Sequence, residues 1–181
     1  FALQKQSSLF ESGRTRKQVS FKLIMTLEIN KDLKFLRKRS KEILEVDNDL
    51  KKLISDMTET MNCNNGVGLA APQVGILSRL IIAKIDGKDL ALINPKIVFK
   101  NREKETMEEG CLSLPDVVLE IERPTQIRVK ATDVNGDPIE LNLRGLSARI
   151  VQHEIDHLNG KLITDRTSLL YKIRNLFKKK R

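Results

Sequence analysis

Histidine and cysteine are scarce in this chain, and their scarcity narrows its chemistry. Among 181 residues, only His153 and His157 are histidine and only Cys63 and Cys111 are cysteine. Two cysteines are too few for a disulfide scaffold and fit a reducing compartment, where a thiolate can serve as a metal ligand. No run approaches the roughly 18 apolar residues that a transmembrane helix needs. The glycine-rich stretch "GVGLAAPQVG" (66–75) lacks a Gly-Lys-Ser/Thr ending, which excludes a P-loop, and it follows no strand signal, as a dinucleotide fingerprint would. No glutamate follows Glu154.

What the chain does have is length for one domain with a core, at 40% hydrophobic and 31% charged residues. The net charge of +9 is uneven: residues 1–24 carry +4, residues 166–181 carry +7, and the body between them carries −2. The basic ends suit an anionic partner or simply a solvated terminus.

From Asp47 the pattern is helical. Leu50, Leu53, Ile54, Met57 and Met61 share one face, Asp47 or Asn48 caps the start, and the run ends at Asn62–Gly66. The stretches 79–85 and 90–100 read as strands across an Asp86-Gly87 turn, and 126–133 and 138–145 as strands flanking Asn135-Gly136. A second helix is expected from near Ser147, with Ile150, Val151, Ile155 and Leu158 on it and Gly160 to stop it. Leu169, Leu170, Ile173, Leu176 and Phe177 predict a terminal amphipathic helix. Strands grouped before a late helix indicate an α+β domain, with antiparallel or mixed sheets packed around a central helix.

That central helix carries "QHEIDH" (152–157). Two residues four apart lie on the same helical face, so His153 and His157 can reach one metal ion. Glu154 points about 100° away. From there it can serve as a general base on water but not easily as a third ligand. Asp156 also lies off the histidine face, placed to orient a neighbouring element. The bland reading is two histidines on a helix; the buried face around them weakens it, because buried polar groups need partners.

The third ligand is not supplied downstream. Ile163 stands where a metzincin has histidine, and a thermolysin-like glutamate is missing. Upstream, Cys111 lies in "EEGCLSLP" (108–115), where Gly110 permits unusual backbone geometry and Pro115 ends the segment. Cys63, at a helix end in a polar run, has less support. Two histidines and one cysteine leave a fourth position open, the layout of a catalytic site rather than a closed structural one. In 66–75, Gln73 is the only strongly polar side chain.

Three motifs together carry a resemblance. Gly66-Val67-Gly68-Leu69-Ala70-Ala71-Pro72-Gln73, Glu109-Gly110-Cys111-Leu112-Ser113 and His153-Glu154-Ile155-Asp156-His157 occur in order. In them the chain closely resembles the peptide deformylases over about residues 25–181, and the short lead from Met25 is similar to the compact bacterial type, which lacks residues like 1–24. The resemblance implies hydrolytic removal of the N-formyl group from N-formylmethionyl nascent peptides, releasing formate. It implies Cys111, His153 and His157 as ligands of one Fe²⁺ per chain, with Ni²⁺, Co²⁺ or Zn²⁺ as substitutes. Glu154 would be the general base and acid, and Gln73 and the Leu112 backbone N–H would stabilise the oxyanion. Gly68 and Gly110 would meet the bound peptide. Glu109 and Arg123 would pair beside the pocket, and Val67, Ile150 and Val151 would line the methionine site.

The expected organisation is an extension (1–24), a catalytic domain (25–165) and a basic terminal helix (166–181) that docks on ribosomal RNA. The expected protein is cytoplasmic, or plastid or mitochondrial if 1–24 is a targeting segment, without a membrane partner, and a monomer or weak dimer. Two rivals are an H-E-x-x-H peptidase and a structural zinc or nucleic-acid-binding module closed by Cys63.

Overall fold

In the computed structural model, which describes residues 26–167, the predicted first helix forms as α2 (Asn48–Cys63), following a single turn, α1 (Leu33–Leu36). Asp47 caps α2, its side chain accepting from the Leu50 N–H at 2.7 Å. Leu50, Met57 and Met61 are buried, and Leu53 and Ile54 are packed at the edge of the same cluster.

Seven strands follow: β1 (Gly68–Ala70), β2 (Leu80–Ile85), β3 (Lys88–Lys100), β4 (Lys104–Cys111), β5 (Leu114–Pro124), β6 (Gln126–Thr132) and β7 (Pro138–Arg144). Five form a sheet in the order β1-β2-β3-β6-β7, every neighbour antiparallel. The Asp86-Gly87 pair closes the β2–β3 hairpin as a two-residue turn, Ile85 opposite Lys88, with φ of 48° and 79°. Positive φ at both positions defines the type I′ turn, whose twist suits adjacent strands.

Strand β2 shows why its sequence is an unbroken apolar run. Ile81, Ala83 and Ile85 point to one face of the sheet and pack with helix α3 (Gly145–Leu158), while Leu80 and Ile82 point to the other and pack with α2. Each fully buried isoleucine stabilises the fold by roughly 1.5–3 kcal/mol. Helix α3 is central: eleven of its fourteen residues are buried, including both histidines. The second sheet is the β4–β5 hairpin, held against the short α4 (Ile163–Arg166) through Leu119, Ile121 and Ile163.

The structure corrects four local expectations. Helix α3 begins at Gly145, two residues before Ser147. The β4–β5 hairpin was not legible as strands: it carries charges on its exposed face and few β-branched residues, and it packs against α3 and α4. Pro115 does not end a segment but lies inside β5 near its start. Gly110 takes no positive φ, and the irregularity there is a register shift in the β4–β5 pairing between Glu109 and Cys111. The amphipathic pattern at 168–180 lies outside the described residues. Among the described residues, no helix is long and apolar enough to cross a membrane.

Candidate metal centre

Three segments meet at one point: the β1 strand with the 3₁₀ turn Ala71–Val74 behind it, the tight link from β4 to β5, and the middle of α3. Each delivers one kind of group. The β4 end brings Cys111, α3 brings His153, Glu154 and His157, and the 3₁₀ turn brings Gln73.

Cys111 Sγ stands 3.3 Å from His157 Nε2, which stands 3.2 Å from His153 Nε2. The three ligand atoms all lie within 4.8 Å of one another. Ligands about 2.0–2.3 Å from a tetrahedral ion are spaced by roughly 3.3–3.8 Å, so this donor set fits a metal ion. Its chemistry fits too, because two imidazole nitrogens and a sulfur facing one another so closely repel unless a cation or a proton lies among them. The titration behaviour shows that tension. Burial opposes charge on both rings, yet hydrogen bonds to Cys111 and Glu109 hold His153 up at about 10, whereas burial and the charge on His153 push His157 down to about 3. Cys63 is exposed and donates to Glu59 at 3.4 Å, away from this group, so it does not close the site.

The carboxylate behind His153 fixes its orientation. Glu109 Oε2 pairs with His153 Nδ1 at 3.0 Å, which leaves Nε2 for a ligand role. Glu109 is itself clamped by Arg123 Nε and Nη2 at 2.6 and 2.8 Å and by Arg149 Nη1 at 2.8 Å. Burial would raise its pKa, but these partners hold it down at about 2. Arg123 also donates to Asp156 Oδ2 at 2.8 Å, and Arg166 grips both Asp156 oxygens. Asp156 therefore ties α3 to β5 and α4, the orienting role its position suggested.

Glu154 is treated differently. It is 4% exposed, and its Oε2 has no hydrogen-bond partner among the described residues. Burial raises its pKa to about 7, with His153 and Arg123 pulling the other way. A carboxylate near neutrality, free at one oxygen and next to a metal site, is placed to accept and return a proton. Gly68 leaves it room: a Cβ there would lie 2.2 Å from Glu154 Oε1.

Gln73 is 2% exposed and its orientation is settled by its bonds. Its Oε1 accepts from the Ala70 N–H at 2.8 Å, so its Nε2 turns toward Ser113 Oγ at 3.4 Å and Cys111 Sγ at 3.5 Å. A donor is thereby aimed at the metal centre.

A cavity of about 380 Å³ opens onto these groups. Val67, Gly68, Glu109, Gly110, Leu112 and Ile150 all line it. Two expected residues do not. Val151 is fully buried in the core against the five-stranded sheet, because one residue along a helix turns the side chain about 100°. Arg123 lies behind Glu109, 4% exposed, and reaches the cavity only through it. Arg149, Leu146 and Ser113 belong to the site and were missed. Arg149 had a signal: it stands one helical turn before His153, where a cation on the same face can meet the carboxylate that orients the ligand.

The family model described as polypeptide deformylase matches residues 26–172. The chain is 50% identical to a peptide deformylase of Thermotoga maritima over 133 residues, 74% of this chain and 81% of that one. It is 47% identical to one of Thermodesulfovibrio yellowstonii over 151 residues, covering 80% and 89%. The crystal structure of the Thermotoga maritima deformylase superposes with a TM-score of 0.75 at 46% identity, over 80% of this chain and 98% of that one. That of Ehrlichia chaffeensis, in complex with actinonin, superposes with a TM-score of 0.78 at 38% identity, over 87% and 99%.

Proposed function

The chain belongs to the polypeptide deformylase family, and we propose that Cys111, His153 and His157 hold its metal ion while Glu154 carries the proton. Its activity is hydrolytic removal of the N-formyl group from nascent peptides. The ion, when bound, supplies a Lewis acid for the formyl oxygen and for water.

Each protein group then has a task set by its surroundings. The substrate's first side chain, that of formylmethionine, enters the cavity along Val67, Leu146 and Ile150. Glu154, with one oxygen unpartnered, takes the proton from the attacking water and returns it to the amine as the C–N bond breaks. The products are formate and a peptide with a free amino terminus. Negative charge that develops on the formyl oxygen meets the Gln73 Nε2 donor and the Leu112 backbone N–H. Glu109 keeps His153 in the tautomer that presents Nε2. A thiolate among the ligands favours soft or redox-active ions, which supports Fe²⁺, with Ni²⁺, Co²⁺ or Zn²⁺ as substitutes.

The convergence of Cys111 and the two histidines beside an unpartnered Glu154 carries this reading. The test is formate release from formyl-Met-Ala-Ser by anaerobically purified protein of known metal content. Release should track bound Fe²⁺ or Ni²⁺, and Glu154→Ala should keep its metal and lose turnover. Near-normal turnover in that variant removes the proton-transfer role.

The basic run 166–181, with seven Lys/Arg and no acid, supports docking on ribosomal RNA in the cytoplasm. Deleting it should weaken ribosome binding and spare activity on a short peptide.

A further inference from the structure

A second cavity lies on the other side of α3 and shares no lining residue with the first. It is a groove of about 640 Å³ bounded by 39–42, Arg79, β3, the end of β5 and the C-terminal half of α3. Seven basic residues line it against three acidic ones. Two of the acids are already engaged: Glu122 pairs with Lys104 at 2.8 Å, and Asp156 pairs with Arg123 and Arg166. Arg39, Arg79, Lys96, Lys100 and Lys161 remain, facing Glu42, and none of these five forms an ion pair among the described residues.

The arrangement holds its cations at a cost. Arg79 donates only to neutral acceptors, Asn159 Oδ1 and the Pro95 carbonyl, both at 3.1 Å. Burial pushes its pKa down, Glu42 opposes, and Arg39 pushes it down further. Lys100 is pushed down by burial and by Arg166, Arg123 and Lys161, against Asp156. Ser40 also lines the groove, and its Oγ is buried without a hydrogen-bond partner among the described residues. Arg79, half-buried with only neutral acceptors, and the exposed Arg39, Lys96, Lys100 and Lys161 give the groove an excess of positive charge that suits an anion. The chain's own ends do not supply it, since residues 1–24 and 168–181 are both basic.

We propose that this groove binds a small anion carrying several phosphate groups, about the size of a nucleoside polyphosphate. The volume falls in the range of small-ligand sites, about 300–1,000 Å³. Unpaired cations drawn from four chain segments suit several charged groups in one molecule better than a single carboxylate. Arginine forks and lysine point charges are the side chains that recognise phosphate.

The test is a titration of the zinc-loaded full chain with inorganic tripolyphosphate, followed by amide NMR at about 0.15 M chloride. Saturating shifts are expected at 39–40, 96–100 and 161, with a Kd below about 1 mM, while signals of His153 and His157 stay in place and show that the zinc is retained. Lys100→Ala and Lys161→Ala should each weaken binding roughly tenfold, and Lys88→Ala, at the β2–β3 turn, should not. The proposal is overturned by absence of saturation, by equal shifts with sulfate, or by undiminished binding in the Lys100/Lys161 double variant, which would place the ion on the basic ends. Tighter binding of an oligoribonucleotide at the same residues overturns it in favour of a polynucleotide surface.

Discussion

Helix α3 presents two faces that solve opposite electrostatic problems. Leu146, Arg149, Ile150 and His153 face the metal cavity, and Gln152, Ile155, Asp156 and Asn159 face the basic groove. Both sets follow the same i, i+3, i+4, i+7 spacing. On the cavity side the buried charges are matched apart from one: Glu109 has two arginines and a histidine, whereas Glu154 Oε2 has no hydrogen-bond partner among the described residues. On the groove side the cations outnumber their partners. A saturated network that isolates one reactive carboxylate builds a catalyst, whereas an unsaturated one is left for a ligand.

The contrast breaks most severely if Glu154 loses its room. Gly68→Ala places a methyl group against the carboxylate, and the loss of a positioned proton carrier should lower formate release by about 10²–10⁴-fold. Metal content should be unchanged, which a parallel metal assay checks. Gln73→Ala removes a donor aimed at the developing charge and should reduce the rate by about 10²–10³-fold, mostly in kcat.

Next in size is the saturated network itself. Glu109→Ala leaves buried Arg149 without a carboxylate and Arg123 with Asp156 alone, and urea unfolding should show a loss of about 3–5 kcal/mol. Its pH dependence has a definite sign. Because the folded protein holds Glu109 near 2, against 4.5 ordinarily, its stabilising contribution is full above the ordinary value and is lost as pH falls toward 2. The stability gap between the wild type and Glu109→Gln should therefore shrink over that interval. A gap that stays constant would detach Glu109 from the ion pair.

At the small end, Arg37→Ala removes an exposed pair with Asp165, 2.8 Å long, and should cost about 0–1 kcal/mol. Lys100→Ala on the groove side should leave formate release unaltered, since that lysine touches nothing in the metal cavity.

Helix α2, the β2–β3 turn and the placing of His153 and His157 on one face of α3 were legible because each rests on short-range rules: capping, a two-residue turn and a four-residue spacing. Val151 was misplaced because family position does not state which way a helix is rotated in this core. Arg149 was overlooked because its partners Glu109, Ile121 and Glu105 are 28 to 44 residues away. The β4–β5 hairpin was missed because its composition carries little strand signal, and the helices α3 and α4 that it packs against come later in the chain.

The sequence by itself narrowed the candidate metal donors. Two histidines one turn apart, one cysteine in a glycine-flanked segment and no other histidine leave few donor sets, and the three motifs in order point to one family. Only the tertiary structure decided how that chemistry is tuned. Burying Glu154 without a partner and saturating Glu109 with three groups, 14 to 44 residues away, both depend on residues far apart in the chain. Desolvation and long-range pairing are properties of packing, and no local pattern of residues encodes them.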